Sequence, residues 1–288
     1  MWLTAAVLAT PVLTATAFAG ETGGIFHLVA ARDCATATSR TVCLTAPLVS
    51  GAPTTALDVL SDIYPGLAPD GTGNHFAGAE AVEAASDPDA GEPAERAVDI
   101  TTHDFADIAV IEAGDKAFAA AVSGGVVMVA EVKPAYRPFG RLLVATDPGG
   151  PTTGYRLLLA APGSPVAVTA SGHFNSQEQF KSFQVVGVAG GQLVDLYDGP
   201  YLYSLDEVSD RCDFLDREEA VDVLEARKKS HHGLSDIDIV VGYTATCITD
   251  DTRRQVEKKS FPLRLSYDGA RYDGDSSALD DFNSGFME

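Results

Sequence analysis

The sequence predicts a mainly β protein, an antiparallel sandwich- or barrel-like meander with one short helix near residues 213–232. Short apolar runs such as RLLVATD and YRLLLAA recur along the second half of the chain. Each break between runs contains Gly, Pro, Asn or Asp, the residues that turns require. The spacing of about ten residues is typical of sandwiches, barrels and propeller-like sheets. A propeller-like sheet is the minor alternative, because no internal repeat recurs.

The first 19 residues predict a cleaved secretory signal. They contain no charged side chain and end in Ala17-Phe18-Ala19, a small-x-small cleavage pattern. The segment is too short and too rich in Thr to be a good membrane span, and no later apolar run is long enough for one. We therefore expect a periplasmic or secreted protein without a membrane span.

The remaining chain divides by pattern into an N-terminal β-rich part, 20–133, and a C-terminal β-meander part, 134–288. Pro134 and Pro138 mark the boundary, because proline interrupts strand pairing. The same pattern is compatible with a single domain formed by both parts.

The N-terminal part contains signals of different strength. GIFHLVAARDC and RTVCLTAPLV predict two strands joined by a short loop. Residues 55–63 fit either one or two helical turns or a strand, because both spacings of apolar residues are present. Residues 86–96, rich in Pro, Gly and acids, predict an exposed loop. The apolar stretch 98–132 predicts further strands.

The segment 213–232 is the predicted departure from strands. Asp213 suits an N-cap, acidic residues follow it, and a run of Lys and His precedes Gly233. This charge distribution matches a helix macrodipole, and glycine suits the position after the last turn. The pattern predicts a helix, although VDVLEA within it fits a strand equally well.

Alternation predicts two half-buried strands near the C-terminus. In DIDIVVGYTATC every second residue from Ile237 to Cys247 lies on one side, which places Cys247 on the core face. In FPLRLSYDGARYDGD the apolar residues share one face, and Asp268-Gly269 predicts a hairpin turn.

The segment SGHFNSQEQF has two interpretations, a catalytic loop or a β-hairpin. A catalytic loop would use His173, Ser176 and Glu178. The hairpin is favoured because residues 166–174 alternate as a strand and residues 180–188 supply the return strand, with NSQEQ as the loop. On this interpretation His173 faces cross-strand neighbours and not Ser176.

Four cysteines, Cys34, Cys43, Cys212 and Cys247, predict disulfides. An even count in an exported chain is typical of bridges, and no Cys-x-x-Cys or zinc-type histidine spacing is present. Three pairings exist, and sequence proximity favours Cys34–Cys43 with Cys212–Cys247. By chain entropy alone these loops would contribute about 3 and 4 kcal/mol.

The charge balance argues against several partner classes. The chain has 41 Asp and Glu against 20 Lys and Arg, a net charge of −21. Such a surface repels phosphate backbones and anionic lipid headgroups, so we expect no nucleic-acid partner. No complete calcium loop is present. We predict no cofactor, and a looser calcium site is the alternative that the acidity leaves open.

No motif identifies a catalytic or metal centre, and no Gly-x-Ser-x-Gly elbow is present. His103, beside two aspartates, and His173 are candidate binding residues. Tyr201 and Tyr203, next to a Gly-Pro turn, could contact a sugar or a protein.

The sequence therefore favours a non-enzymatic binding, inhibitory or envelope-accessory protein with a protein or carbohydrate ligand. The alternative is a periplasmic hydrolase whose active site is assembled only in the fold. The histidines or carboxylates would then supply its acid and base.

Overall fold

The computed structural model describes residues 24–29, 34, 41–73, 98–99, 107–123, 125–144, 152–175, 178–209, 212–249 and 252–285. These residues are mainly β, with antiparallel sheets and two short helices. The predicted mainly β meander is therefore confirmed. The predicted signal 1–19, the predicted loop 86–96 and His103 lie outside the described residues.

The first half of the described chain forms a six-stranded sheet and a two-stranded ribbon. The strands are β1 Gly24–Val29, β2 Thr41–Cys43, β3 Thr72–Gly73, β4 Val98–Asp99, β5 Asp107–Ala113, β6 Lys116–Ser123, β7 Val126–Lys133 and β8 Arg137–Leu143. The sheet has the order β2-β1-β5-β6-β7-β8, and β3 pairs with β4 in the ribbon. β1 and β2, predicted as strands joined by a loop, pair in parallel.

The second half forms an eight-stranded sheet. Its strands are β9 Thr152–Ala161, β10 Ser164–Asn175, β11 Glu178–Ala189, β12 Gln192–Ser209, β13 Cys212–His231, β14 Leu234–Thr249, β15 Thr252–Tyr267 and β16 Tyr272–Asp273. They follow one another in the sheet in chain order, each antiparallel to the next. The domain division at residue 134 stays a prediction; β8, which follows it, pairs with β7.

The helix predicted over 213–232 is wrong, because this segment is strand β13 and pairs with β14 along most of its length. His232 and Gly233 have φ angles of 49° and 93° and form the two-residue turn between the strands. Positive φ at both positions is characteristic of a type I′ hairpin turn, so glycine serves a hairpin here and does not end a helix. The strongly alternating β14 supplies a partner that the local charge pattern did not reveal.

Two short helices are present in the described residues: α1 Ala56–Leu60 and α2 Ser277–Ser284. α1 settles the open choice at 55–63 in favour of a helix. Its N-terminus is a capping box, in which Thr55 Oγ1 accepts from the Asp58 N–H and the Asp58 carboxylate accepts from the Thr55 N–H.

The eight-stranded sheet folds back on itself at β12 and β13. These strands pair only where residues 204–209 meet residues 212–218. Beyond this short ladder they separate, and β12 continues along β11 while β13 continues along β14. The sheet thus has two halves, β9–β12 and β13–β16.

The molecule has three layers: the six-stranded sheet, β9–β12 as the middle layer and β13–β16 as the third layer. Hydrophobic clusters lie between them. One cluster lies between β9–β12 and β13–β16 and contains Val168 and Ile239. A second joins the six-stranded sheet to the other face of β9–β12 and contains Phe118 and Leu157. A third packs α1 on the outer face of the six-stranded sheet. The middle layer is covered on both faces, and residues 166–171 of β10 are accordingly all buried.

No helix among the described residues is long and apolar enough to cross a membrane.

Candidate functional site

The hairpin predicted around His173 is confirmed. β10 and β11 are adjacent antiparallel strands, and Asn175 pairs with Glu178. The connection is therefore shorter than the predicted loop NSQEQ, because both strands continue into it. His173 lies opposite Phe180 in the ladder, so its strand position is the one that the alternation predicted.

His173 begins a row of residues that crosses six strands. Phe180 lies opposite Tyr203 on β12, and the Tyr203 N–H donates to Glu219 Oε2 on β13 at 3.0 Å. Glu219 lies opposite Tyr243, and Tyr243 lies opposite Lys259 on β15. Directly opposite residues in a sheet share one face. The fold thus places the predicted candidates His173 and Tyr203 in one row with an acid and a base that the sequence did not single out.

Glu219 and Asn283 occupy the fork where β12 and β13 separate. At this point the Tyr201 carbonyl and the Tyr203 N–H point towards β13, which no longer pairs with β12. The Glu219 carboxylate accepts from the Tyr203 N–H, and Asn283 Nδ2 donates to the Tyr201 carbonyl at 3.3 Å and to Glu219 Oε2 at 3.2 Å. Two side chains therefore satisfy backbone groups that would otherwise lack ladder partners.

The Glu219 carboxyl is almost fully buried, with 1% of the residue exposed. Burial raises its pKa from 4.5 to about 7, against the opposing effect of the hydrogen bonds from Tyr203 and Asn283. Its second oxygen, Oε1, is buried without a hydrogen-bond partner among the described residues. A carboxyl with this pKa exchanges protons near neutral pH.

Helix α2 covers this part of the sheet through aromatic contacts. The Phe282 ring lies 4.8 Å from the Tyr243 ring and 5.0 Å from the Phe261 ring, measured between centroids. Lys259 Nζ lies 4.2 Å from the Phe282 centroid, within cation–π range. Helix α2 therefore covers the fork, in which 1% of Glu219 is exposed.

Beyond the fork the strands extend past the hydrophobic clusters. We call this part the distal arm and define it as residues 201–209, 212–220, 242–249 and 252–260. Of these residues only Leu202 belongs to a hydrophobic cluster, the one between β9–β12 and β13–β16. The predicted bridge Cys212–Cys247 is confirmed within the arm, with a Cα–Cα distance of 5.4 Å, and Cys34–Cys43 is confirmed near β2.

The distal arm carries the large hydrophobic side chains that are exposed in the described residues. They are Tyr201, Phe214 and Val256, which are 50%, 52% and 44% exposed. Tyr201 packs edge-on against Phe180, with ring centroids 5.5 Å apart. Phe214 pairs with Ile248, on the face opposite to Cys247, and Val256 lies at a bulge of β15. The tyrosine candidate Tyr201 is thus available at the surface, and Tyr203 is partly buried.

The outer edge of the arm is basic. Residues 252–260 read TRRQVEKKS and are all exposed. This segment of β15 contains four Lys or Arg and one Glu, in a chain whose net charge is −21. The local charge is therefore opposite to that of the molecule.

The described residues show no group of three or more His, Cys, Asp or Glu side chains that could hold a metal ion. His231, which directly precedes the turn, contacts Asp236 through Nδ1 at 2.6 Å. A looser calcium site therefore stays a prediction. The described residues contain no group of ligands for it.

Polar side chains also meet between the layers. Asp107 on β5, Arg156 on β9 and Thr169 on β10 line a small cavity there. Arg156 donates to the Leu224 carbonyl on β13 at 2.7 Å, which ties the middle layer to the third. The hydrogen bond from Arg156 thus joins two layers.

Sequence reasoning missed Glu219, Asn283 and the basic edge of β15. Counting back from the turn at 232–233 would pair Glu219 with Thr246. Two bulges in the β13–β14 ladder change its partner to Tyr243. The run of cations on β15 is visible in the sequence, but its position at an open sheet edge is not.

No family model, curated protein or solved structure gives a significant match to the chain.

Proposed function

We propose that this chain is a non-enzymatic extracytoplasmic binding protein and that the distal arm is its binding surface. The observation that carries the proposal is the concentration in the arm of exposed Tyr201, Phe214 and Val256, none of which belongs to a hydrophobic cluster. Exposed apolar side chains gathered in one region are typical of interaction surfaces.

The distribution of these side chains favours a protein ligand over a carbohydrate. Tyr201 and Phe214 belong to opposite faces of the arm, because the β12–β13 register places odd-numbered residues opposite odd-numbered ones, as in Leu205 opposite Arg217. Val256 lies on the edge strand of the arm. A sugar stacks on a single aromatic platform, whereas a protein can contact two faces and an edge together. Inhibitory and envelope-accessory roles both require such a partner.

An extracytoplasmic location agrees with the covalent structure. Both bridges are formed, and no cysteine of the chain is free. Disulfides persist in oxidising compartments and are rare in the cytosol. The bridge Cys212–Cys247 also ties β13 to β14 inside the arm, which limits the ordering entropy that binding costs.

The test is affinity capture of partner proteins from an extracytoplasmic extract, with and without calcium. The arm variant is Tyr201→Ser with Phe214→Ser. The matched control is Pro53→Ser with Pro65→Ser, which removes exposed apolar side chains near α1. Proteins enriched by the wild type and the control should be lost with the arm variant. Capture that is unchanged in the arm variant, or no capture by the wild type, would contradict the proposal.

A hydrolase is the second candidate, favoured by Glu219. Its raised pKa, about 7, suits a general acid or base, and Tyr203 and Tyr243 lie beside it. Access would require α2 to move. The test is hydrolysis of chromogenic esters and glycosides by the wild type, Glu219→Gln and Glu225→Gln, an exposed acid on the same strand. Activity lost only in Glu219→Gln would support the hydrolase, and equal rates would exclude Glu219.

A further inference from the structure

We infer that the outer edge of β15, residues 252–260, binds an extended acidic segment of a partner protein as an added β-strand. We call these residues the basic edge. The inference rests on the proposed binding function and names the chemistry of its partner.

The basic edge has open backbone hydrogen-bonding groups. On one side β15 pairs with β14 along residues 252–265. On the other side β16 pairs only with Ser266 and Tyr267. Within the described residues no strand and no backbone hydrogen bond reaches the outer side of residues 252–260. A strand with one unpaired side is a template for strand addition, which supplies affinity through main-chain hydrogen bonds.

The side chains of the basic edge select for negative charge. Lys259 is paired with Glu257 at 2.9 Å, and Arg253 contacts Asp216 at 3.4 Å. Arg254 and Lys258 are exposed and have no ion-pair partner among the described residues. These two cations are therefore available to an incoming strand.

The two free cations point to opposite faces of the sheet. Arg254 lies opposite Cys247, and Lys258 lies opposite Thr244. Because residues 244 and 247 of β14 differ by an odd number of positions, they belong to different faces. Val256 lies between the cations and is 44% exposed. The matching strand therefore carries acids on both faces around an apolar residue.

A second copy of this chain is a poor occupant. Antiparallel pairing of the whole edge with itself would place Arg254 opposite Lys258 and Arg253 opposite Lys259. Like charges directly opposite each other destabilise a ladder. Cations on an edge also discourage uncontrolled strand pairing, but in a chain with twice as many acids as bases their local excess favours an acidic partner.

The experiment uses fluorescence anisotropy at low salt with a labelled nine-residue peptide that has Glu on both faces around a central Val. A twin peptide with every internal amide N-methylated keeps the charge but loses its N–H donors. The edge variant is Arg254→Glu with Lys258→Glu. The matched control, Lys228→Glu with Lys229→Glu, makes the same charge change at exposed positions near the turn at the other end of β13.

The wild type and the control should bind the peptide, and the edge variant should bind it at least 10-fold more weakly. The N-methylated twin should also bind at least 10-fold more weakly, and 0.5 M salt should weaken binding because exposed charges are screened. All the substituted side chains are exposed, and unfolding curves confirm that each variant is folded.

Three results would overturn the inference: no binding by the wild type, equal binding of the N-methylated twin, or an equal loss in the control. A dimer of the wild type that dissociates in the edge variant would identify a second copy as the occupant and also overturn it. If the wild type captures proteins through Tyr201 and Phe214 but does not bind the peptide, the proposed binding function is supported and this inference is wrong. If the wild type neither captures proteins nor binds the peptide, both the proposed binding function and this inference are wrong.

Discussion

Glu219 is the residue at which the second sheet divides. Its carboxylate replaces the ladder partner that Tyr203 loses when β12 and β13 separate, and Asn283 does the same for Tyr201. A buried carboxyl is costly unless it is neutral or well hydrogen-bonded. The stability of the fork is therefore linked to the proton on Glu219.

The first prediction concerns the pH dependence of stability. In the folded chain the pKa of Glu219 is raised from 4.5 to about 7, so the folded state holds this proton more tightly than the unfolded state. The stabilisation is complete below pH 4.5 and is lost as pH rises through about 7. Glu219→Gln stays neutral, and its free energy of unfolding should exceed that of the wild type by on the order of 2–3 kcal/mol at pH 8.

Urea unfolding at pH 5 and pH 8 measures this difference. The control Glu225→Gln removes an exposed carboxyl from the same strand and should follow the wild-type pH dependence. If the free energy of unfolding changes equally between pH 5 and pH 8 in the wild type and in Glu219→Gln, Glu219 does not titrate in this range.

At the scale of elements, the β13–β14 hairpin defines the third layer and the distal arm. Its ladder runs from His231 opposite Leu234 to Phe214 opposite Ile248. Arg227 and Arg264 both contact Asp238 from the neighbouring strands, which lowers the pKa of that carboxyl. Arg227, which lies in the segment whose charges imitate a helix, thus forms a cross-strand pair.

The second prediction tests the type I′ turn. His232→Asn should raise the free energy of unfolding by about 0.5–1 kcal/mol, because Asn adopts positive φ more readily than His. Gly233→Ala should lower it by about 1–2 kcal/mol, because its φ of 93° is strained for a residue with Cβ. Chemical denaturation measures both, with the exposed Lys228→Ala as a near-neutral control. A lower free energy of unfolding in His232→Asn together with a higher one in Gly233→Ala would contradict the type I′ turn.

The third prediction compares the two disulfides. Their sequence separations are 9 and 35 residues, and loop-closure entropy grows with loop length. Replacing Cys212 and Cys247 by Ser should cost about 4 kcal/mol, and replacing Cys34 and Cys43 by Ser about 3 kcal/mol. Thermal and urea unfolding of the two double variants measure this. A larger loss at Cys34–Cys43 would reverse the expected order.

At the scale of the whole molecule, stability is distributed unevenly among the three layers. The middle layer is buried on both faces, whereas the basic edge has an unpaired side and every residue exposed. Local opening requires least free energy where few apolar contacts hold the backbone. The part proposed to bind a partner is thus also the part that is easiest to open.

The fourth prediction follows from this gradient. In hydrogen–deuterium exchange, peptides that cover residues 252–260 should be fully exchanged before peptides that cover 166–171 are half exchanged. The arm residues 212–218 should be intermediate, because β13 is paired with β12 there and, from Phe214 onward, also with β14. Equal rates at 252–260 and 166–171 would show that the edge is covered.

The predictability of the site differs from residue to residue. Tyr201 is a candidate from the sequence alone, because a tyrosine beside a Gly-Pro turn is visible locally. Glu219 was not found, because its partner depends on two bulges that no local pattern encodes. The sequence predicts a helix at β13, because its charge order and terminal glycine satisfy helix rules as well as hairpin rules.

The mainly β class, the alternating strands such as β14 and the net negative charge follow from the sequence alone, and proximity along the chain favours the pairing of the four cysteines. These properties depend on period-two alternation and on short separations along the chain. The division of the sheet, the burial of Glu219 at that division and the open edge of β15 are visible only in the folded chain. The physical reason is that burial and edge position depend on which distant strands pair and in what register, and a single residue shift in register exchanges the two faces of a strand.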